Sequence, residues 1–245
     1  MKSIRYLLLL MLLSAGCGKE EKLVFEEKIY QGEQCSGCPE IRVKVPLALD
    51  KRKISETVNY ALKEEVVSLL AFEEEQQPED IPEAVSSFRN GFEKLQIEFP
   101  DETVPWEADI EALVTFENKE LLSISLNSYI FTGGAHGYGA TRFLNFKKKS
   151  GQEVDNSELF KNQKIFVEFA EDQFRIQHNI PPDQPINSTG FMFERNEFYL
   201  PENIGFTENG LKLLYNPYEV ASYADGTIEL LLPYREIAKY LNVKL

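Results

Sequence analysis

Histidine is nearly missing from this chain: two residues in 245, against 40 carboxylates. That scarcity excludes a histidine-rich metal site, and there is no His-Glu-x-x-His pair to hold a catalytic zinc on one helix face. No Gly-x-Ser-x-Gly elbow presents a serine nucleophile. Cysteine is scarce as well, with Cys17, Cys35 and Cys38 making up the whole supply. Only Cys35 and Cys38 sit at metal-ligand spacing, and no second Cys/His pair completes a zinc set. Long apolar runs are absent too. The best candidate, Leu7 to Leu13, falls well short of the roughly 20 residues a helix needs to cross a bilayer core. Positive charge is the last deficit, with 26 Lys and Arg leaving a net charge of −14. A field of that sign repels nucleic acid and anionic lipid; it favours cationic partners or simply keeps a secreted domain in solution.

What is present begins with an address. Lys2 and Arg5 precede the Leu7–Leu13 run, and Ser14-Ala15-Gly16-Cys17 follows it. This is the layout of a signal peptide over residues 1–16, with a junction that resembles a bacterial lipobox, although Leu13 stands one place earlier than that motif's usual leucine. Cys17 is the expected lipidation site, ordinary secretion being the alternative. Acyl chains contribute about 0.8 kcal/mol per buried methylene, so a multiply acylated cysteine anchors a domain while leaving it outside the membrane. Loss of Lys2 and Arg5 with the leader takes the charge from −14 to −16. Residues 17–22 read as a lipidated tether, whose Lys19-Glu20 resembles a surface-export signal of some diderm bacteria. The expected location is the bacterial cell envelope, lipid-anchored, at the outer membrane or cell surface in a diderm cell.

The remainder divides into an N-terminal α+β region, 23–103, and a C-terminal α+β region, 104–245. Leu23–Tyr30 and Glu40–Val45 alternate apolar and polar residues as half-buried strands do. The loop between them holds Cys35-Ser36-Gly37-Cys38-Pro39. In an oxidising envelope the expected state is a disulfide closing that loop. A redox pair would want the motif at a helix N-terminus, whereas here Pro39 and a strand follow. Helical spacing predicts helices over 50–72, 81–98 and 163–178, with Gly91 a weak point in the second. Trp106–Glu117, Glu120–Phe131 and Arg142–Lys148 read as strands. Further strands are expected at 191–193, 197–200, 205–206, 210–215 and 226–232, before a closing helix from Tyr234 to Leu241. Strand clusters joined by hairpin turns and interrupted by helices predict an α+β fold of antiparallel sheets packed with a few helices.

Among these elements one stretch stands apart. Gly133-Gly134-Ala135-His136-Gly137-Tyr138-Gly139 joins two strands through a glycine-rich connection. It lacks the Gly-Lys-Ser/Thr ending of a phosphate loop and the third glycine of a dinucleotide fingerprint, so no nucleotide or other cofactor is expected. Gly133, Gly134, His136, Gly137 and Tyr138 are the candidate ligand loop. His136 has three readings: a ring that fixes its own loop, a ligand contact, or a general base. With 40 carboxylates, a pair spaced for glycoside cleavage leaves no mark in the sequence.

Tyr129 to Gly137, followed by Leu144-Asn145-Phe146, Gly151, Glu158-Leu159-Phe160 and the closing Asp225-Gly226-Thr227-Ile228 to Pro233-Tyr234, resembles a particular family of unknown function. That family forms the extracellular region of the RsiV anti-sigma factor and precedes the catalytic domain of the PdaC peptidoglycan deacetylase. The resemblance extends from Leu23 to the C-terminus and is strongest from Trp106 to Leu241. It implies the α+β fold and a sensing or ligand-binding module at the cell wall; the anti-sigma member binds lysozyme. The chain leaves no room for the deacetylase domain and shows no transmembrane helix ahead of the fold, so neither activity is expected to transfer. The expected function is therefore a non-catalytic envelope lipoprotein binding a cationic protein or a cell-wall component, and not nucleic acid. The alternative is a cell-wall polysaccharide hydrolase working through carboxylates.

Overall fold

In the computed structural model the described residues are 22–50, 52–72, 77–100 and 104–245. The leader (1–16), Cys17 and tether residues 18–21 lie outside them. Strand β1 (Phe25–Gln31) pairs antiparallel with β2 (Glu40–Ala48), Phe25 opposite Ala48. The Cys35–Cys38 disulfide closes the loop between them, with Cα atoms 5.3 Å apart. β2 runs three residues beyond its expected end, straight through Pro46. Proline is tolerated because β2 pairs with its other neighbour only as far as Lys44, so past that point one edge needs no donor.

That neighbour is β3 (Glu107–Glu117), and the pairing is parallel. A parallel pair requires a crossover. Helices α1 (Lys53–Leu70) and α2 (Ile81–Glu98) supply it, and both pack on one face of the sheet. Asp80 caps α2 by accepting from the Glu83 amide, while Glu83 accepts from the Glu79 amide in return. Ile81, Ala84, Val85, Phe88 and Phe92 bury its apolar stripe. Gly91 proves to be a packing site: a Cβ there would lie 2.5 Å from the Phe72 ring, which itself packs at a tilt against Trp106.

β3, β4 (Leu121–Phe131), β5 (Tyr138–Lys147) and the short β6 (Gln152–Glu153) continue the sheet in antiparallel sequence, giving the order β1-β2-β3-β4-β5-β6. The β2–β3 pairing is the one departure from the antiparallel expectation among the described strands. The 103/104 division falls inside this sheet, whose strands come from both regions.

β4 is buried on both faces. Leu122, Ile124 and Leu126 enter the core beneath α1 and α2, while Leu121 joins a second core on the opposite side. That second core belongs to an antiparallel sheet of β7 (Asn203–Thr207), β8 (Gly210–Tyr215) and β9 (Ile228–Leu232), packed with α3 (Gln163–Gln177) and the single turn α4 (Tyr234–Ile237). Here the sequence reading needs correction. Residues 191–193 and 197–200 are not strands: the Asn187 side chain binds both the amide and the carbonyl of Phe193, holding the segment in short 3₁₀ turns around buried Phe193 and Phe198. The closing helix stops at Ile237 rather than Leu241, because Leu241 bridges to Phe160 and Asn242 caps the carbonyls of Glu158 and Phe160.

The two sheets meet through buried polar side chains. Ser123 donates to Asn145 Oδ1 (2.7 Å) and accepts from the Phe206 amide (3.1 Å); Asn145 Nδ2 donates to the Ile204 carbonyl (2.7 Å). Thr115 donates to the Phe206 carbonyl (2.7 Å). β7 is an edge strand, and these side chains satisfy the backbone groups that β8 does not. Between them Phe143 lies flat on Gly205, where a Cβ would come within 1.9 Å of the ring. Asn145→Ala leaves the Ile204 carbonyl and the Ser123 hydroxyl buried without their partner. Each unsatisfied group costs about 1–3 kcal/mol, so a loss of roughly 2–4 kcal/mol in urea unfolding is expected. A loss below about 1 kcal/mol would show that the interface does not depend on this amide.

Candidate functional site

The loop 132–137 connects β4 to β5, and the ladder closes at Ile130 opposite Tyr138. β5 begins at Tyr138 rather than the expected Arg142, because Gly139 pairs with Tyr129 inside the ladder. Each glycine therefore has its own cause. Gly133 (φ 101°) and Gly134 (φ 88°) occupy conformations closed to side chains, with open space where a Cβ would stand. Gly137 has ordinary φ but lies beneath the Tyr129 ring, which a Cβ would meet at 2.5 Å. Gly139 has no such constraint: its nearest contact would be the Ser128 carbonyl at 3.8 Å.

Gly133 and Gly134 line a groove of about 440 Å³ with Thr132, Leu95, Phe99, Val104 and Trp106. His136 and Gly137 face the other way, onto the segment 216–226. The His136 Nδ1 lies 2.9 Å from the Gly137 carbonyl oxygen, so Nδ1 carries the proton of that bond. The Tyr223 hydroxyl donates to the same oxygen at 2.8 Å. The two rings stack, with centroids 4.0 Å apart and an interplanar angle of 17°. Tyr218 extends the row, its ring 5.4 Å from that of Tyr223.

The 216–226 segment is itself pinned to β5. Beyond the short β6, the outer edge of β5 has no described strand beside it, and the Asn216 amide takes the place of one. It accepts from the Thr141 amide (2.8 Å) and donates to the Thr141 carbonyl (3.0 Å). The Tyr138 hydroxyl reaches the Pro217 carbonyl at 3.4 Å. Ser222 and Asp225 form a reciprocal cap that holds the turn bearing Tyr223. Burial raises the Tyr138 hydroxyl above its ordinary range, with Glu219 and Tyr218 nearby adding to the effect. Glu219 is also raised by burial; a backbone hydrogen bond from Asn216 opposes the shift and the Glu202 carboxylate reinforces it.

Within this cluster Tyr218 is an outlier. Its φ is 74° although it is neither glycine nor asparagine, and its side chain is 60% exposed. A bulky residue there carries strain of about 1–3 kcal/mol. Tyr138, also exposed, lies near it.

The structure thus brings His136, Gly137 and Tyr138 to one aromatic face and turns Gly133 and Gly134 to another. Sequence reasoning missed Tyr129, Asn216, Tyr218 and Tyr223. Asn216-Pro217 reads as a turn, but nothing local ties it to a loop some 75 residues earlier. Cys35 and Cys38 are far from this face in the chain and form the disulfide described above. Among the described residues no group of three or more His, Cys, Asp or Glu is placed to hold a metal ion, and no described helix is long and apolar enough to cross a membrane.

Residues 157–235 match the family model described as a protein of unknown function, DUF3298. Residues 33–138 match the model described as deacetylase PdaC. The resemblance is to the DUF3298 and PdaC families. The DUF3298 match spans the second sheet and the tyrosine-bearing segment, while the PdaC match runs from the disulfide loop to the first residue of β5. No curated protein matches this sequence. Among solved structures, a DUF3298 family member from Bacteroides fragilis superposes with a TM-score of 0.66 at 19% identity, covering 90% of this chain and 95% of its own. A DUF3298 family protein from Pseudomonas aeruginosa gives 0.61 at 18% identity, covering 90% and 93%. At such identities the shared property is the fold: one mixed α+β architecture with a large and a small mostly antiparallel sheet.

The glycine loop makes an internal control available. Gly133→Ala and Gly134→Ala force a side chain into positive φ and are expected to cost about 1–2 kcal/mol each in denaturant unfolding. Gly139→Ala, in an open strand position, is expected to be neutral or stabilising by up to about 1 kcal/mol. Equal losses at all three positions would refute the assigned backbone roles.

Proposed function

We propose that this chain is an envelope-anchored, non-catalytic binding module, with the face built from His136, Tyr138, Tyr218 and Tyr223 as its docking surface. The partners are wall-associated: lysozyme-like cationic proteins, drawn by the net charge of −14, or components of the cell wall itself. The observation that carries this reading is how the rings are held. The Tyr223 and Tyr138 hydroxyls are spent on backbone carbonyls, which fixes the rings before any ligand arrives. A surface ordered in advance loses less entropy on binding. The family resemblance to an extracellular sensing domain supports the same reading.

The test is capture of lysozyme and other cationic wall-active proteins, and of peptidoglycan, by the purified protein at low and high salt. Salt-sensitive retention of a cationic protein, or retention of peptidoglycan, without turnover is the expected result, since screening weakens an acidic surface's pull on a basic partner. No retention of either would sink the proposal. A second reading rests on Glu219, whose raised carboxyl beside Glu202 is what a general acid requires. Glycan turnover that disappears in Glu219→Gln would replace the binding reading with a hydrolase.

The anchor is tested separately. Growth with a clickable fatty acid is expected to tag the wild-type protein, and Cys17→Ala is expected to abolish the tag. A tag that persists in the variant would exclude lipidation at Cys17.

A further inference from the structure

Charge is unevenly spread over this chain, and the unevenness has a direction. The chain enters the fold at Leu23, whose amide donates to Glu117 Oε1 (2.8 Å), and at Val24, whose amide donates to Asp50 Oδ2 (3.0 Å). Several turns gather at that entry. Asn118 of the β3–β4 turn donates to the Lys244 carbonyl (3.0 Å), and the Lys148 amide donates to the Glu120 carbonyl (2.9 Å). A Cβ on Gly151 would lie 3.0 Å from the Ile54 amide nitrogen and 3.2 Å from Lys53, at the start of α1. Each of these segments carries an exposed lysine: Lys22, Lys53, Lys119, Lys149 and Lys244. Among the described residues none of the five has a carboxylate partner, whereas Lys147 and Lys148 are spent on Glu158 and Glu117. The exposed carboxylates left without a cation in the same segments are Glu56, Glu120, Glu153 and that of Leu245. Five against four is a small excess, but the whole chain carries 26 cations against 40 acids. The acidic field that repels an anionic surface is therefore lifted at this end.

Apolar side chains stand among the lysines. Val24 and Leu49, joined by the Leu49 amide donating to the Val24 carbonyl (2.9 Å), are 56% and 50% exposed at the entry point. Exposed aliphatic groups ringed by lysines suit a bilayer interface, where the aliphatic groups enter the headgroup boundary and long lysine stems keep their ammonium groups at phosphate level. A soluble acidic partner would use the lysines and leave Val24 and Leu49 wet. Chain length selects the bilayer as well. Six residue steps separate Cys17 from Leu23, at most about 20 Å of extended chain. Acylation at Cys17 thus holds this end near the headgroups, rather than the far end of β4, which lies 11 residues or about 35 Å away.

Resting on acylation at Cys17, we infer that the folded domain docks on its own membrane through this end, with the five lysines engaging anionic phospholipid headgroups around Val24 and Leu49. β4 then runs from the bilayer toward the loop 132–137, and the face of His136 and Tyr223 is presented away from the membrane.

Lipidated full-length protein is reconstituted on the outside of phosphatidylcholine vesicles with and without phosphatidylglycerol. The vesicles are floated, and the lysines are acetylated at low and high salt and read by mass spectrometry. Flotation on both vesicle types reports the anchor. Acetylation of Lys53, Lys119 and Lys149 is expected to slow about fivefold on phosphatidylglycerol vesicles at low salt, and to recover at high salt or on phosphatidylcholine alone. Lys94, exposed next to the groove residue Leu95 at the far end, is expected to react equally throughout. Lys119→Glu combined with Lys149→Glu changes two exposed positions outside every described ion pair. That variant is expected to float as wild type does and to return Lys53 to its unprotected rate. Equal acetylation on anionic and neutral vesicles with flotation intact overturns the docking and leaves the anchor standing, as does protection of Lys53 that persists in the variant. Protein that does not float has no anchor, and the docking falls with it.

Discussion

The side-chain amide of Asn145 joins the two halves of this protein. It lies on β5 of the large sheet, accepts from Ser123 on β4 and donates to the backbone of β7 in the small one. Two sheets packed by apolar side chains alone could slide by a residue, because dispersion contacts are individually weak and not directional. Asn145 donating to the Ile204 carbonyl, Thr115 donating to the Phe206 carbonyl and Ser123 accepting from the Phe206 amide fix that register. Gly205 sits between these two residues and admits the Phe143 ring, so polar and apolar contacts specify the same alignment. The cost of burying polar groups is met because every one of these atoms has a partner.

That alignment determines where the aromatic face can form. β8 ends at Tyr215 and the next residue is Asn216, so the register of the small sheet decides where the Asn216 amide meets Thr141 on the edge of β5. Were β7 and β8 displaced by one residue, the amide would face the wrong side of the strand. Tyr223 would then lose the Gly137 carbonyl, and the stack with His136 would not close. The buried network and the exposed tyrosines are therefore parts of one construction, though they share no atoms. A further tie spans the ends of the domain. Lys148 and Glu117 form a buried ion pair (2.6 Å), and the Leu23 amide donates to the same carboxylate oxygen (2.8 Å). An ion pair this enclosed holds mainly because extra hydrogen bonds satisfy it.

Local patterning was enough for the large sheet and its helices. The period of Ile54, Val58, Leu62 and Val66 describes one face of α1, and Asp80-Ile81-Pro82-Glu83 states the start of α2 in capping chemistry alone. Parallel pairing of β2 with β3 was not legible, because strand direction depends on where two helices return the chain rather than on alternation. Phe191 to Leu200 misled for a related reason. Its aromatic density reads as strand, yet Asn187 supplies the backbone partners that a neighbouring strand would have given. In the loop, the cluster of glycines was visible, but their separate causes were not. Gly137 and Gly205 are required by rings that arrive from elsewhere, and no local sequence rule expresses a contact with Tyr129 or Phe143.

Tyr218 brings these strands of argument together. Stability alone would place glycine at φ 74°, since a tyrosine there loses about 1–3 kcal/mol to strain and recovers little by burial when its side chain is 60% exposed. The conformation belongs to the turn Asn216-Pro217-Tyr218-Glu219, closed by the Glu219 amide donating to the Asn216 carbonyl, with proline at the second position and Tyr218 at the third, where φ is positive. The turn thus requires the conformation but not the tyrosine, since glycine would adopt it at less cost. Asn179, Arg195 and Asn196 also adopt positive φ, but asparagine tolerates that region through its short polar side chain and Arg195 lies within a tight 3₁₀ turn. Tyr218 owes its φ to the third position of the turn that follows β8. What tyrosine adds over glycine there is a large flat ring, exposed beside that of Tyr223, and this is the feature on which the proposed docking surface rests.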